Sequence, residues 1–495
     1  MVDQLAASWL PAYGHGIVRS PALDALARDG VVFDSAYCPA PLCAPSRSSL
    51  LTGRLPGRIG VYDNAAELRA SEPTLMHDLR AAGYDTCLSG KMHFVGPDQL
   101  HGFEQRLTTD VYPADLDWTP DWRLPLTERL PWYHTMESPL TPGICAASMQ
   151  MDYDDEVAHR AVRKLRDLAR DPARPFFLTV SFTSPHDPWE VRPEYWDRYD
   201  REAIELPAVG PVPREHADPH SLRLRDMSGT DEAALSDEQV RGARHAYYAA
   251  ISYVDERIGA VLDALAATGL RDDTIVVFTA DHGEMLGERG LWYKMAFFEQ
   301  AARVPLIVSA PERLAAARVA VPVSLLDVLP TLLELCGLMP QAGLDGRSLV
   351  PALEGRALDP VDVPVEYLAE GVNSPAVMLR RGRHKYIWCA DDPEQLYDLD
   401  DDPRELVNRA LDEPRLCAEL RAEVERRWDP SRLHADVMRS QAERRLVVAA
   451  LNEGRRTSWD FVPRVDAQFV RGKDDLYELQ RRARLDAPLE RAESR

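Results

Sequence analysis

No stretch of about 18 or more apolar residues interrupts the chain, which argues against a membrane-spanning helix. The first residues show no basic-then-apolar leader, so nothing in them indicates export. Cysteine is scarce. Seven are scattered from Cys38 to Cys417, an odd number without paired spacing, and they do not read as a disulfide framework. A reducing, cytoplasmic setting is the expectation. Basic residues are also outnumbered, with 58 Lys and Arg against 80 Asp and Glu and a net charge of −22. Such a balance weighs against nucleic acid as a partner, because phosphate backbones require clustered Lys and Arg. The same field is unhelpful for steering a bare anion, and it disfavours less a substrate that carries its own cation.

What is present is a large core-forming chain: 495 residues, 45% of them hydrophobic, enough for one large domain and a smaller one. Alternating strand and helix patterns predict an α/β fold, a central, mostly parallel mixed sheet flanked by helices. A short helix is expected from Pro21, a strand from Val31, a helix over Ser46 to Thr52, and strands over Gly83 to Gly90 and Phe176 to Phe182. Ser236 with Asp237, Glu238 and Gln239 suits the start of a long helix reaching Ala267. The apolar run Asp273 to Ala280 reads as a doubly buried parallel strand, and Asp281-His-Gly-Glu284 follows directly. Polar residues just past a strand's carboxyl end are where open α/β sheets bind ligands. After about residue 355, Pro, Asp and Arg become frequent, and Ala376 to Arg380 with His384 to Trp388 reads as a hairpin. The expected division is a catalytic domain over 1–355, a smaller antiparallel subdomain over 356–455, and a tail over 456–495.

The most informative run is Cys43-Ala-Pro-Ser-Arg47, followed by Leu51-Thr-Gly-Arg54. A lone cysteine is usually a small buried hydrophobe, and reactivity depends on its surroundings. This spacing, however, resembles the sequence on which sulfatases oxidise their catalytic cysteine to formylglycine. The resemblance implies an alkaline phosphatase-like fold, maturation by a formylglycine-generating enzyme, and a hydrated aldehyde at position 43 as nucleophile. Asp3, Gln4, Asp281 and His282, together with position 43, resemble the metal ligands of one sulfatase branch. Oxygen-rich ligation suits Ca²⁺, and an imidazole ligand tilts toward Mn²⁺. Arg47, Lys91, His93, His186 and Lys294 fall where the family has its remaining catalytic residues.

Further runs look like choline sulfatases within that family: Gly60-Val-Tyr-Asp-Asn64, Leu88 to Phe103, Leu107-Thr-Thr-Asp-Val-Tyr-Pro113 and Gly287 to Trp292. The implied substrate is a small zwitterionic sulfate ester, choline-O-sulfate, whose quaternary ammonium aromatic faces and carboxylates can hold. Trp118 in Asp117-Trp-Thr-Pro120 is the first candidate for the cation contact, with Asn64, His134, Glu370 and one of Asp474 or Asp475 as further substrate contacts. In the subfamily the C-terminal tail reaches a neighbouring active site, so a homo-oligomer, dimer or tetramer, is implied. Two departures stand out: the family carries an apolar strand leading into the residue equivalent to Asp3, and choline sulfatases often have Ala in place of Ser46. Two other readings stay open: a phosphonate monoester or phosphodiester hydrolase of the same superfamily, and a non-catalytic quaternary-ammonium binding protein.

Overall fold

The computed structural model describes residues 1–455 and 459–461. Its central sheet is built from two ladders. In one, β1 (Val31–Tyr37) runs parallel to the short segments Ala317–Val319 and Val323–Ser324. In the other, β2 (Asp85–Gly90) and β3 (Phe176–Ser181) pair in parallel, with Gln105–Arg106 on the outer edge. β4 (Val276–Thr279) and β5 (Arg303–Ser309) complete the first ladder, and β5 lies antiparallel to both β4 and β1. The sheet is therefore mixed. The expected strand over 273–280 is shorter than its apolar run, because only four of those residues find a ladder partner in β5.

Residues 1 and 2 tie the two ladders together. The Met1 nitrogen donates to Val180 O at 2.8 Å and Phe182 N to Met1 O at 3.0 Å, while Val2 N donates to Thr279 O at 3.1 Å and Val2 pairs in parallel with Ala280. Beyond Met1, the facing edges of β3 and β4 enclose an apolar cavity of about 210 Å³, bordered by Phe177, Val180, Val276 and Phe278. That opening is why Val276 and Val277 of β4 and residues 176–180 of β3 stay half-buried.

Helices cover the sheet. α1 (Pro21–Arg28), α2 (Cys43–Thr52), α3 (Met149–Arg170), α4 (Asp237–Ala267) and α5 (Val328–Leu335) pack around it, and α4 contacts α1 and α3. α4 starts as its sequence demands: Ser236 Oγ accepts from Gln239 N at 3.3 Å, and Gln239 Oε1 accepts from Ser236 N at 2.9 Å, a reciprocal cap. α2 begins three residues earlier than expected, at Cys43, since Pro45 lies in the first turn where its missing N–H is no loss.

A separate four-stranded antiparallel sheet follows: β6 (Val363–Tyr367), β7 (Ala376–Arg381), β8 (His384–Cys389) and β9 (Gln395–Asp398). β7 and β8 form the expected hairpin, closed at Arg381 opposite His384, with Gly382 supplying the positive φ of 54° that a two-residue turn needs. α6 (Pro414–Arg427) covers this sheet through Cys417, Leu420 and Val424, and α7 (Pro430–Leu451) follows it. α7 reaches back to the large sheet's loops: Arg444 forms a bidentate pair with Asp63 at 2.7 Å, and Gln441 Oε1 accepts from Trp122 N at 2.9 Å. No described helix is long and apolar enough to cross a membrane.

Candidate active site

Four strand ends and the Met1–Val2 segment converge on one buried pocket. Asp3 and Gln4 leave the segment that bridges β3 and β4, Cys43 opens α2 after β1, Lys91 follows β2, His186 follows β3, and Asp281 and His282 follow β4. Each element ends its apolar run where a polar side chain is delivered, so the chemistry collects along one rim of the sheet. The backbone is bent to fit: Gln4, His93 and Tyr293 all hold positive φ, at 62°, 56° and 67°. Non-glycine residues are rarely kept in that region unless surrounding contacts enforce it.

At the centre, Cys43 Sγ lies 3.1 Å from His282 Nε2 and 3.8 Å from Asp3 Oδ1. The α2 amino end is satisfied by a side chain from another loop, because Asn64 Oδ1 accepts from Ala44 N at 3.0 Å. Asp3 faces two cations and an imidazole. Lys91 Nζ donates to its Oδ2, Arg47 Nη2 lies 3.4 Å from the same oxygen, and His282 Nε2 is 3.6 Å from Oδ1. Burial alone would raise the Asp3 carboxyl, but the Lys91 and Arg47 charges outweigh it and hold it well below the usual carboxylate range. Arg47 is fully buried and cross-links the pocket. Its Nε donates to Asp281 Oδ2 at 2.7 Å, and its Nη1 donates to Lys91 O at 2.6 Å and Ser181 Oγ at 2.9 Å.

A second group sits across the pocket. Lys294 Nζ donates to Gln4 Oε1 at 2.7 Å and lies 2.9 Å from His186 Nε2 and 3.1 Å from His134 Nε2. Burial and the Lys294 charge push both imidazoles well below the ordinary histidine range, so both are neutral. Facing a carbonyl, His186 Nδ1 donates to Asp187 O at 2.7 Å, which leaves Nε2 as acceptor from Lys294. Burial lowers Lys294, but Cys43, Asp187, Asp3 and Glu284 more than restore it, so it stays an ammonium.

The residues present fit a divalent metal. Asp3, Cys43, Asp281 and His282 are all buried, and one donor atom from each falls within 4.8 Å of the others. His282 Nδ1 donates to Gly283 O at 3.0 Å, which turns the Nε2 lone pair into the pocket, as ligating histidines require. Burial, the largest influence on His282, lowers its proton affinity and keeps that lone pair free.

Sequence and shape comparisons agree with this geometry. Residues 1–338 match the sulfatase family model. The chain belongs to the sulfatase family. Residues 435–485 match the choline sulfatase enzyme C-terminal model, and residues 287–432 the C-terminal model of N-sulphoglucosamine sulphohydrolase. A choline-sulfatase of Rhizobium meliloti (strain 1021) is 46% identical, covering 97% of this sulfatase and 96% of the relative. Among solved structures, the phosphonate monoester hydrolase of Agrobacterium radiobacter superposes with a TM-score of 0.69 at 26% identity, covering 88% of this chain and 94% of that one. SpPMH from Silicibacter pomeroyi gives 0.71 at 26% identity, covering 86% and 94%.

In this sulfatase two more of the expected residues, His93 and Trp118, lie together beside Lys91 by way of Tyr112. His93 is buried, with neither ring nitrogen hydrogen-bonded among the described residues, and its backbone N–H donates to Asp110 Oδ2 at 2.9 Å. Its ring lies 5.8 Å from Trp118 and 5.3 Å from Tyr112, and Tyr112 is 5.4 Å from Trp118. This aromatic wall continues to the charged centre, because Lys91 Nζ sits 4.1 Å above the Tyr112 ring. Glu370 is buried, its Oε2 without a hydrogen-bond partner among the described residues, and burial pushes its carboxyl up to about 7. Asp474 and Asp475 lie outside the described residues. Sequence reasoning missed Tyr112, Asp187 and Glu284 as members of the site, although Tyr112 and Glu284 stand inside runs already singled out and Asp187 directly follows His186.

Proposed function

We propose that this sulfatase hydrolyses choline-O-sulfate to choline and sulfate. The observation that carries the reading is its 46% identity, over nearly the full length of both chains, to a choline-sulfatase. The pocket supports it from two sides. Lys91, Arg47 and Lys294 form a cationic end suited to sulfate oxygens, whereas Glu370 and the Trp118 and Tyr112 rings offer the carboxylate and π faces that attract a quaternary ammonium. When in place, a divalent cation on Asp3, Gln4, Asp281, His282 and position 43 supplies charge against the sulfate oxygens, and formylglycine at 43 supplies a hydrated aldehyde as nucleophile.

The chain's own residues would do the rest. Lys91 and Arg47 hold the sulfuryl oxygens while countering Asp3 and Asp281. Lys294 and His186, 2.9 Å apart, share a proton between Nζ and Nε2 that is positioned for the departing choline oxygen. Asp187 orients His186 through Nδ1. His93, its ring nitrogens open to a ligand, would take a proton during sulfate release. His134 keeps Lys294 in place, and Asn64 holds the amino end of α2. Ca²⁺ is the proposed ion, with Mn²⁺ the alternative; a cytoplasmic homo-oligomer, its tail supplying Asp474 or Asp475 to a neighbour, and maturation by a formylglycine-generating enzyme complete the reading. The domain division at residues 355 and 455 belongs to it as well.

A second reading is favoured by the shared architecture with phosphonate monoester hydrolases. Both are separated by sulfate or phosphonate release from choline-O-sulfate, an aryl sulfate and an aryl phosphonate, measured on protein coexpressed with a formylglycine-generating enzyme. Choline-O-sulfate is expected to have the largest kcat/KM; preference for the aryl phosphonate would sink the choline reading. The pH profile adds an internal check. Above about pH 7 Glu370 is a carboxylate and attracts the ammonium, and below it the neutral acid does not. kcat/KM for choline-O-sulfate is therefore expected to fall relative to the aryl sulfate as pH drops through about 7, and Glu370→Gln to erase that difference.

A further inference from the structure

Gln4 has its backbone pinned and its amide left to be oriented. Its N–H donates to Asp281 Oδ1 at 3.1 Å, and its carbonyl accepts from the Tyr247 hydroxyl at 2.6 Å. What remains is which end of the side-chain amide faces the pocket. Only the Oε1 end has a lone pair for a cation, so a rotation of half a turn would replace a ligand with a repelling NH₂.

Glu284, fully buried, sits on the far side of that amide. Its Oε2 accepts from Gln4 Nε2 at 2.5 Å, and its Oε1 accepts from Leu286 N and Tyr293 N, each at 2.7 Å. Three N–H groups thus point at one side chain, and none offers it an acceptor. Only a group with lone pairs at both ends satisfies them all, which a carboxylate does and an amide cannot. The two backbone donors belong to residues held at positive φ, 47° at Leu286 and 67° at Tyr293, and Lys294 follows immediately. Asp187 Oδ1, 3.4 Å from Gln4 Nε2, favours the same amide orientation from a longer distance.

We propose that Glu284 is a positioning residue that sets the polarity of the metal site: it holds Gln4 with Oε1 toward the ion while clamping the loop that delivers Lys294. The inference rests on the reading of Gln4 as a metal ligand. It acts through hydrogen-bond direction, not through contact with substrate or ion. In Glu284→Gln every arrangement sets one N–H against another. If the new amide keeps its oxygen on Leu286 and Tyr293, its NH₂ faces Gln4 and turns that amide over; if it does not, the 286–293 loop loses its acceptor.

The direction of these bonds supplies a reciprocal test. In the single variant Gln4→Glu two carboxylates face each other, whereas in the double variant Gln4→Glu with Glu284→Gln every donor again meets an acceptor. The amide oxygen at 284 takes Leu286 and Tyr293, its NH₂ takes the carboxylate at 4, and the other oxygen at 4 faces the ion. Binding of Mn²⁺ to metal-free protein, followed by the electron paramagnetic resonance of the free ion, and of Ca²⁺ by calorimetry, reads the site without turnover. Glu284→Gln is expected to weaken both ions by roughly 10- to 100-fold, the usual loss when a partner behind a ligand is removed, and the double variant to recover most of that loss. Melting temperatures run alongside separate folding from ligation. Unchanged ion affinity in Glu284→Gln, or a double variant that recovers melting temperature but not ion affinity, would overturn the proposal and reduce Glu284 to a loop clamp. Asp281→Asn is the control: if it too binds both ions like the unaltered protein, the metal-site reading itself fails and this inference falls with it.

Discussion

Cys43→Ala is expected to abolish sulfate release, by roughly 10⁴- to 10⁶-fold in kcat, the scale seen when a covalent nucleophile is deleted. Stability should scarcely change. The side chain is small, it caps nothing, and its Sγ contacts His282 and Asp3 in a pocket shaped for a ligand instead of a close-packed interior. Such a separation of activity from stability marks a reacting group, because a buried structural cysteine would show the reverse. Position 43 is also the first residue of α2, where the helix dipole favours developing negative charge, and Arg47 lies one turn further along. Two measurements check the expectation: turnover of Cys43→Ala, and the mass of the peptide containing residue 43 in protein made with and without a formylglycine-generating enzyme. Full turnover by protein whose residue 43 is still a thiol would remove formylglycine from the account. Residual activity in Cys43→Ala near that of the unaltered chain would move the nucleophile elsewhere.

Much of this pocket could be read from the chain because its residues come in short motifs at strand ends. Asp281 with His282 follows the apolar run of β4, which by itself points to a strand-end site, whereas Lys91 and His93 after β2 and His186 after β3 were legible only through the sulfatase resemblance. Residues that act through partners distant in sequence were not legible in this way. Glu284 gains its meaning from Gln4, separated from it by 280 positions, and Tyr112 from Lys91 and Trp118 around it. Asn64 was expected at the substrate, and the contact it makes with α2 depends on a loop crossing that periodicity does not encode. Strand direction was equally hidden. The run Arg303–Ser309 has the continuous apolar character of a buried parallel strand, yet it lies antiparallel to both neighbours, since burial on two faces sets composition and not polarity.

Arg47→Met is expected to convert a metal-assisted site into a metal-dependent fold. The guanidinium is fully buried, donates to Asp281, the Lys91 carbonyl and Ser181, and lies 3.4 Å from Asp3. Removing it leaves Asp281 with backbone N–H partners from Gln4 and His282 but without its charged partner, and leaves Asp3 to Lys91. Breaking a buried pair on one side costs about 3–5 kcal/mol, because the other charge stays buried without compensation. Metal-free Arg47→Met should therefore unfold at clearly lower denaturant than the unaltered chain. A divalent ion on Asp3 and Asp281 returns the missing positive charge, and ligand binding to the folded state adds stability in proportion to its affinity. The rise in melting temperature on adding Ca²⁺ or Mn²⁺ should thus be larger in the variant than in the unaltered protein, even as turnover falls by 10²-fold or more from loss of a fixed charge on the sulfate oxygens. Arg47→Lys should not restore either property, since one ammonium cannot replace a guanidinium that reaches Asp281, the Lys91 carbonyl and Ser181 at once. Equal metal-induced shifts in the two proteins would show that Arg47 and the ion do not share the carboxylates, and would separate the arginine from the metal site proposed on Asp3 and Asp281.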